Sequence, residues 1–364
     1  DLNAFKADLA AFVERVTSKS LFRVESDLGH GFVRLKVSEA ERRQAKQDIR
    51  CVEDAVIEML RNARDAHARS IFLATSKSGS LRRIVMIDDG DGLPADMHDA
   101  IFEPRVTSKL DSFGSDNWGV HGRGMALYSI KENAEEARVA ASMEQGGTAF
   151  SVVFDTASVR ERKDQSTPPL LTRGEDGLWT FASGPHNIVR CVAEFSLSTQ
   201  GACTVFCGSA VEIAATMYVY GERFARSSVA EGLAPQDVPV SKRLSLCFDA
   251  ESLAESARSI GLDISLRSAY RILQGEIFPL DPYLATLSKE QEGRSLEKKG
   301  SAMDLSQDFR GLKIAEEDMG EFKHSLCQAW KTLAEAYFLE SDIEPSVRIS
   351  RDGLYVTFPV RKQL

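Results

Sequence analysis

The stretch that most constrains this chain runs from Ile57 to Ala68, IEMLRNARDAHA. It reads as a helix with two faces. Val56, Met59, Leu60 and Ala63 recur at helical spacing and point into a core. Glu58, Asn62 and Asp65 are spaced four and then three residues apart, so they share the opposite stripe. Glu, Asn and Asp in one line offer a general base, a metal ligand and an anchoring carboxylate to a single cavity. A solvated polar face has the same spacing, so the stripe takes its meaning from the segments downstream of it.

Ser70 to Ser76 (SIFLATS) reads as a strand, and a Ser/Gly-rich turn leads to a second, RRIVMI, which ends in Asp88-Asp89-Gly90-Asp91-Gly92-Leu93-Pro94. A carboxylate at a strand end is rigidly placed. Asp88 can accept a hydrogen bond from an exocyclic amine such as that of adenine. Gly90 and Gly92 let the backbone come close to a ligand. The calcium-loop spacing with its terminal Glu is missing. After a short helix, Ala95 to Phe102, the polar loop EPRVTSKLDSFGSDN has the length and composition of a lid, and its Thr107, Ser108 and Lys109 suit phosphate. The Gly-rich run from Trp118 to Gly124 then opens a helix, so its backbone N–H groups form an anion site. No Gly-Lys-Ser/Thr follows it and no strand leads into it, which excludes a Walker A loop and a Rossmann fingerprint. A strand (Ala137–Ser142), the turn Gln145-Gly146-Gly147 and a strand (Thr148–Phe154) close this part.

Upstream, Asn3 to Val16 reads as an amphipathic helix, and FRVES and FVRLKVS as a hairpin around a Gly-containing loop in which His30 is a surface turn residue. Ser38 with Glu41 forms a capping box. A length of 364 residues predicts two domains. The balance of 43% hydrophobic and 27% charged residues predicts a folded, soluble protein. The net charge of -9 argues against coating nucleic acid over the whole surface, although a local basic groove stays compatible with it. No apolar run reaches membrane-span length and no signal-peptide pattern stands at the N-terminus, so a cytoplasmic protein without membrane contact is expected. The six scattered cysteines read as reduced thiols, because Cys203 and Cys207 find no second pair to complete a metal site.

Residues 156–180 are polar and Pro-containing and read as a linker or insertion. Residues 181–364 read as a second, smaller α+β domain. Its expected parts are strand-like pieces from Phe181 to Ser198, an ambiguous Val205–Phe224, strands at Arg243–Phe248 and Asp263–Arg267 flanking a helix Ala250–Ile260, and a mobile charged segment at about 288–318. A helix Met319–Leu339 with Trp330 and Tyr337 as core residues and a closing hairpin around Arg351-Asp352-Gly353 complete it.

Taken in order, three motifs resemble the GHKL ATPase superfamily of DNA gyrase, the heat-shock chaperone of the same fold, sensor histidine kinases and MutL. Residues 58–66 (E-x-x-x-N-x-x-D-A) are similar to its N box, 88–92 (D-x-G-x-G) to its first Gly box and 119–124 (G-x-H-G-x-G) to its second, with Gly147-Thr148 as the closing Gly-Thr. The resemblance covers residues 45–155. It implies a two-layer α/β sandwich of the Bergerat ATP-binding type within residues 1–155, and ATP and Mg²⁺ as ligands. It implies that Asn62 holds Mg²⁺ against the phosphates and that Glu58 deprotonates the attacking water, with Asp65 on the same nucleotide-binding stripe. Asp88 would bind the adenine amine with Thr148 in support, and Gly90 and Gly92 would admit the base. Gly119, Gly122 and Gly124 would wrap the phosphates with Arg123, helped by Lys109 and His121 from the lid. In hydrolysing relatives the second domain sends a lysine to the γ-phosphate; Lys289, Lys298, Lys299 and Lys313 are the candidates here.

Glu58 resembles the hydrolysing branches of the superfamily, and RNARDAHARSIFL and VTSKL resemble MutL, whereas IFEPRVTSK and QGGTAFSVVF resemble a histidine kinase. The implied function is a slow Mg²⁺-dependent ATPase acting as a conformational switch. The alternatives are a histidine or serine protein kinase acting on a separate partner, and a non-hydrolysing nucleotide-binding scaffold. A homodimer through the N-terminal region or the second domain, and a further protein partner, fit this class. A nucleic-acid role rests on analogy alone.

Overall fold

The computed structural model describes residues 24–107, 114–116, 119–121, 124–174, 179–199, 201–227, 232–289, 314–337, 339–349 and 353–361. The expected helix at Asn3–Val16 lies outside them. A hairpin of β1 (Val24–Gly29) and β2 (Phe32–Leu35) leads into helices α1 (Glu39–Asp48) and α2 (Val52–Asp65). Ser38 caps α1 as its sequence predicts: its side chain accepts the Glu41 N–H while the Glu41 carboxylate accepts the Ser38 N–H. The Asp54 carboxylate does the same for α2, accepting the N–H groups of Arg50 (2.9 Å) and Cys51 (3.2 Å).

Next come β3 (Ser70–Ser78), β4 (Leu81–Asp88), a one-turn α3 (Met97–Ala100) and β5 (Val106–Thr107). β5 pairs with β2, tying the start of the polar loop to the N-terminal hairpin. The short strands β6 (Gly114–Asp116) and β7 (Gly119–His121) pair with each other, and α4 (Ala126–Asn133), β8 (Glu136–Ser142) and β9 (Thr148–Asp155) come after them. Later in the chain lie β10 (Leu170–Arg173), β11 (Trp179–Ser183), α5 (Ile188–Ser198), β12 (Thr204–Gly208) and α6 (Ala210–Ala225). A 3-10 helix (Val240–Leu246), α7 (Ala250–Ser259), α8 (Leu266–Leu273), α9 (Glu316–Ala336), β13 (Ser346–Ile349) and β14 (Leu354–Thr357) complete the order.

The central sheet has the order β12-β3-β4-β9-β8, antiparallel except for β12, which runs parallel to β3 with Thr204 opposite Ser70. Residues 70–74 of β3 and 84–88 of β4 are buried without a break. Unbroken apolar runs of this kind mark strands covered on both faces. Phe72, Ala74, Val85, Ile87 and Ala149 face the helical layer of α6, the 3-10 helix, α7 and α8, whose Ile213, Met217, Leu244 and Leu253 are fully buried. The alternate residues Asp88 and Phe150 point to the other side, where they share a cavity wall with α2. The expected α/β sandwich is therefore present, and residues 210–273 add a further helical layer behind its sheet.

The chain forms two units, residues 1–160 with 198–283, and residues 161–197 with 284–364. The expected start of a second domain at residue 181 is corrected by this division: β12 belongs to the central sheet, and the helices from α6 to α8 pack on that sheet. Val205–Phe224 resolves into a strand and then a helix, with Ser209 capping α6. The expected strand Arg243–Phe248 is instead the 3-10 helix, which buries Val240 and Leu244 four residues apart. The expected strand Asp263–Arg267 is overridden by Ser265, whose side chain accepts the Ser268 N–H and starts α8. Residues 156–180 carry β10, which pairs with β11.

In the second unit, Trp330 of α9 stacks on Phe358 with ring centroids 4.8 Å apart and donates its indole N–H to the Glu340 carbonyl at 3.0 Å. Tyr337, expected in the core, is 69% exposed because it is the residue that ends α9. The closing hairpin forms as β13 and β14. Most of the segment expected to be mobile, 290–313, lies outside the described residues.

Candidate functional site

A cavity of about 870 Å³ opens in the first unit, and the polar stripe of α2 forms one wall. Val52, Ala55, Val56, Met59, Leu60 and Ala63 are buried on the core side of α2. That fixes the helix rotation and sends Glu58, Asn62 and Asp65 to the cavity. Glu58 Oε1 accepts a hydrogen bond from Arg61 Nη1 at 2.5 Å. Asp65 Oδ1 is held by Arg64 Nε at 3.0 Å. The Asn62 Nδ2 is buried and finds no partner among the described residues.

The facing wall is the end of β4. Asp88 is 3% exposed, and its Oδ1 accepts the Gly90 N–H at 2.9 Å. Burial pushes its carboxyl up to about 7; the neighbouring charges of Asp89 and Asp91 add to the rise, while the N–H groups of Gly90 and Thr148 oppose it. Asp89, the next residue, has a different job. Its Oδ1 accepts the N–H groups of Arg69 and Ser70, both at 2.8 Å, and its Oδ2 accepts the Tyr220 hydroxyl at 3.1 Å. Alternation along the strand explains the split, since only one of two adjacent residues can face the cavity.

The glycines of D-x-G-x-G are expected to admit a ligand, but backbone packing already requires both of them, since a Cβ on Gly90 would lie 2.4 Å from the Ala66 carbonyl oxygen. A Cβ on Gly92, at φ +72°, would lie 1.8 Å from the Met143 carbonyl oxygen. One on Gly147, at φ +90°, would lie 2.0 Å from the Asp88 carbonyl oxygen. These two approaches clamp the β4 end against the β8–β9 turn and place Thr148, 4% exposed, beside Asp88.

Gly124 and Thr107 also line the cavity, and the Gly124 carbonyl accepts the Arg105 N–H at 2.8 Å, so the two stems of the polar loop meet. Gly119 and His121 fall on β7. Lys109, Gly122 and Arg123 lie outside the described residues, as do Lys298, Lys299 and Lys313, and Lys289 belongs to the second unit.

Several residues of the site carry no motif. Ser142 Oγ accepts the Leu93 N–H at 2.6 Å and lies 3.4 Å from Thr148 Oγ1, which joins the strand β8 to the loop after β4. His30 and Phe32 of the N-terminal hairpin line the cavity, so His30 is more than a surface turn residue. Arg61 lines it too and is 4% exposed. Its place between Glu58 and Asn62 is the only signal in the sequence, and helical periodicity puts it off the polar stripe.

Comparison with known proteins agrees with this geometry. The family model described as Histidine kinase-, DNA gyrase B-, and HSP90-like ATPase matches residues 47–158. Proteins described as DNA mismatch repair protein MutL, from two strains of Thermus thermophilus and from Thermus aquaticus, are 43%, 43% and 42% identical over 84 residues. The aligned stretch is 23% of this chain and only 15% of the length of each relative. A solved structure described as "Crystal structure of ShkA full-length in complex with AMPPNP" aligns over 77% of this chain and 64% of that chain, at 15% identity and a TM-score of 0.22, too low to bear on the fold. Residues 47–158 thus match the model of the GHKL ATPase domain, with local motifs similar to those of MutL.

Proposed function

We propose that this protein binds ATP with Mg²⁺ in the α2–β4 cavity, hydrolyses it slowly and uses the bound state as a conformational switch. The observation that carries the reading is the pairing of walls: a buried strand-end carboxylate, Asp88, across one cavity from a helix stripe of Glu58, Asn62 and Asp65. Asp88 accepts a hydrogen bond from the adenine amine, its carboxylate oriented by the N–H groups of Gly90 and Thr148. Glu58 takes a proton from the attacking water as the water oxygen bonds to the γ-phosphorus; the bridging oxygen leaves with the electron pair of the broken P–O bond.

The donor set fits a divalent cation. Seven carboxylates line the cavity (Asp48, Asp54, Glu58, Asp65, Asp88, Asp91 and Glu144), a wall that repels a bare triphosphate. Asn62 stands in that wall: its buried Nδ2 has no partner among the described residues, and its amide oxygen is the atom that could ligate a cation. Among the described residues no group of three or more His, Cys, Asp or Glu is arranged to hold a metal. Mg²⁺ is commonly held by few protein groups plus substrate phosphates, which suits Asn62 as its protein ligand and charge neutralisation as its contribution.

A carboxylate at position 58 favours hydrolysis over transfer to a protein. The second unit, or a second copy of this chain, is the part the switch would move. No helix among the described residues is long and apolar enough to cross a membrane. The test is Mg²⁺-ATP binding and turnover of wild type beside Asp88→Asn and Glu58→Ala. Asp88→Asn is expected to abolish binding, and Glu58→Ala to keep binding and stop turnover. Turnover that survives Glu58→Ala removes Glu58 as the base, and label appearing on protein instead of free phosphate would support the kinase alternative.

A further inference from the structure

The cavity wall holds a cation that the motifs do not predict. Arg61 stands one helical turn after Glu58, lines the same cavity and has a side chain only 5% exposed, against 25% for Glu58. The pair is closed at 2.5 Å between Arg61 Nη1 and Glu58 Oε1. An arginine keeps its charge at any working pH, and a buried guanidinium that loses its counter-charge is strongly disfavoured. Glu58 is thus a counter-ion as well as the proposed base. The hydrogen bond from Arg61 occupies a Glu58 oxygen lone pair that a general base would offer to the attacking water. Something must draw Arg61 away before Glu58 can act well. The guanidinium fork matches phosphate as well as it matches carboxylate.

Resting on the ATP reading above, we propose that Arg61 senses the terminal phosphate: it pairs with Glu58 in the empty site and shifts to a γ-phosphate oxygen when a triphosphate enters, which releases Glu58 as the base. This places the sensor inside the first unit, three residues from the base, rather than on a lysine of the second unit. Arg61 also supplies discrimination, since a diphosphate has no terminal oxygen at that position and leaves the ion pair closed.

The test is calorimetric binding of AMPPNP and of ADP, each with Mg²⁺, to wild type, Arg61→Gln and Glu58→Gln. Loss of one charge-assisted contact predicts that Arg61→Gln lowers the preference for the triphosphate about tenfold while ADP affinity stays within about twofold. Glu58→Gln weakens the hold on Arg61 at this contact, because a neutral amide oxygen replaces the carboxylate, and is expected to raise the triphosphate preference while stopping turnover. A purely structural ion pair predicts parallel losses for both nucleotides and no gain in Glu58→Gln. An unmoved preference in Arg61→Gln overturns the assignment. Should Arg61→Gln fail to fold, Glu58→Gln decides alone: no gain in preference overturns the proposal. Wild type that binds neither nucleotide overturns the ATP reading and this inference together, whereas wild type that binds both with unmoved variants overturns Arg61 alone.

Discussion

One face of the central sheet is dry and the other walls a cavity. On the dry face, Phe72, Val85 and Ile87 meet Ile213, Met217, Leu244 and Leu253, and the chemistry is almost wholly apolar. On the cavity face, one residue along in each strand, Asp88 and Thr148 are buried as polar groups with backbone partners. The same strands thus carry stability on one side and recognition on the other. Substitutions on the dry face should act through folding, and those on the cavity face through nucleotide.

The largest expected effect is on the dry side. Phe72 is fully buried, stacked on Phe206 with centroids 5.1 Å apart and edge-on to Tyr220. Phe72→Ala should cost about 3–5 kcal/mol in urea unfolding, with nucleotide affinity unchanged in the fraction that remains folded. A loss below about 1 kcal/mol would mean that the helical layer does not hold that face.

Asp88 should behave in the opposite way. Burial raises its folded carboxyl to about 7, above its unfolded value. Its contribution therefore favours the fold fully at pH below the unfolded value and is lost as pH rises through about 7. Nucleotide-free wild type should lose about 2–3 kcal/mol between pH 5 and pH 8 through this one group, a slope that Asp88→Asn removes. Paired unfolding curves at the two pH values measure it, and equal slopes in both proteins would mean that Asp88 does not titrate in that window.

The same group predicts a pH dependence for binding. The adenine amine donates to the ionised carboxylate, so nucleotide affinity should fall about tenfold for each pH unit below 7, until the carboxyl of the complex itself titrates. Flat affinity from pH 5 to pH 8 would place the adenine elsewhere. The smallest effect is expected at Ser142, which joins β8 to the loop after β4 through Leu93. Ser142→Ala should cost about 1 kcal/mol, read mostly as weaker nucleotide binding because the hydroxyl sits on the cavity side.

The two faces also differ in how well the sequence discloses them. The cavity face is written in local motifs. The α2 stripe, the strand-end Asp88 and the Gly-Gly-Thr turn each span a few residues, and their periodicity and backbone demands show directly. Even there the resolution is limited: nothing in Asp88-Asp89 tells which carboxylate faces the cavity, because register decides it. Gly92 reads as room for a ligand, yet the Met143 carbonyl already fills the space its Cβ would take. The dry face depends on partners distant in the chain. β12 joins β3 by parallel pairing although the other strands of the central sheet, the β10–β11 hairpin and α5 all lie between them in the chain, and no local pattern encodes that choice. The 3-10 helix at Val240–Leu246 overlaps a stretch that reads as a strand, because a few apolar residues in a short segment do not let period alone separate the two.

The grip of the 3-10 helix on the β8–β9 turn has a practical side. The Val240 N–H donates to the Gly146 carbonyl at 2.8 Å, and Arg243 Nη2 donates to the Ser142 carbonyl at 3.4 Å. The turn that sets Gly147 and Thr148 beside Asp88 is thus held from outside the span 47–158. A polypeptide cut after residue 158 would keep every motif and still leave Phe72, Val85 and Ile87 on a bare sheet with β3 as an open edge, a template for clumping rather than a working module. On the ribosome the motifs emerge early, but the shell behind them is complete only once residue 272 or so has been made. For anyone shortening the gene, residues 198–283 have to stay with residues 1–160.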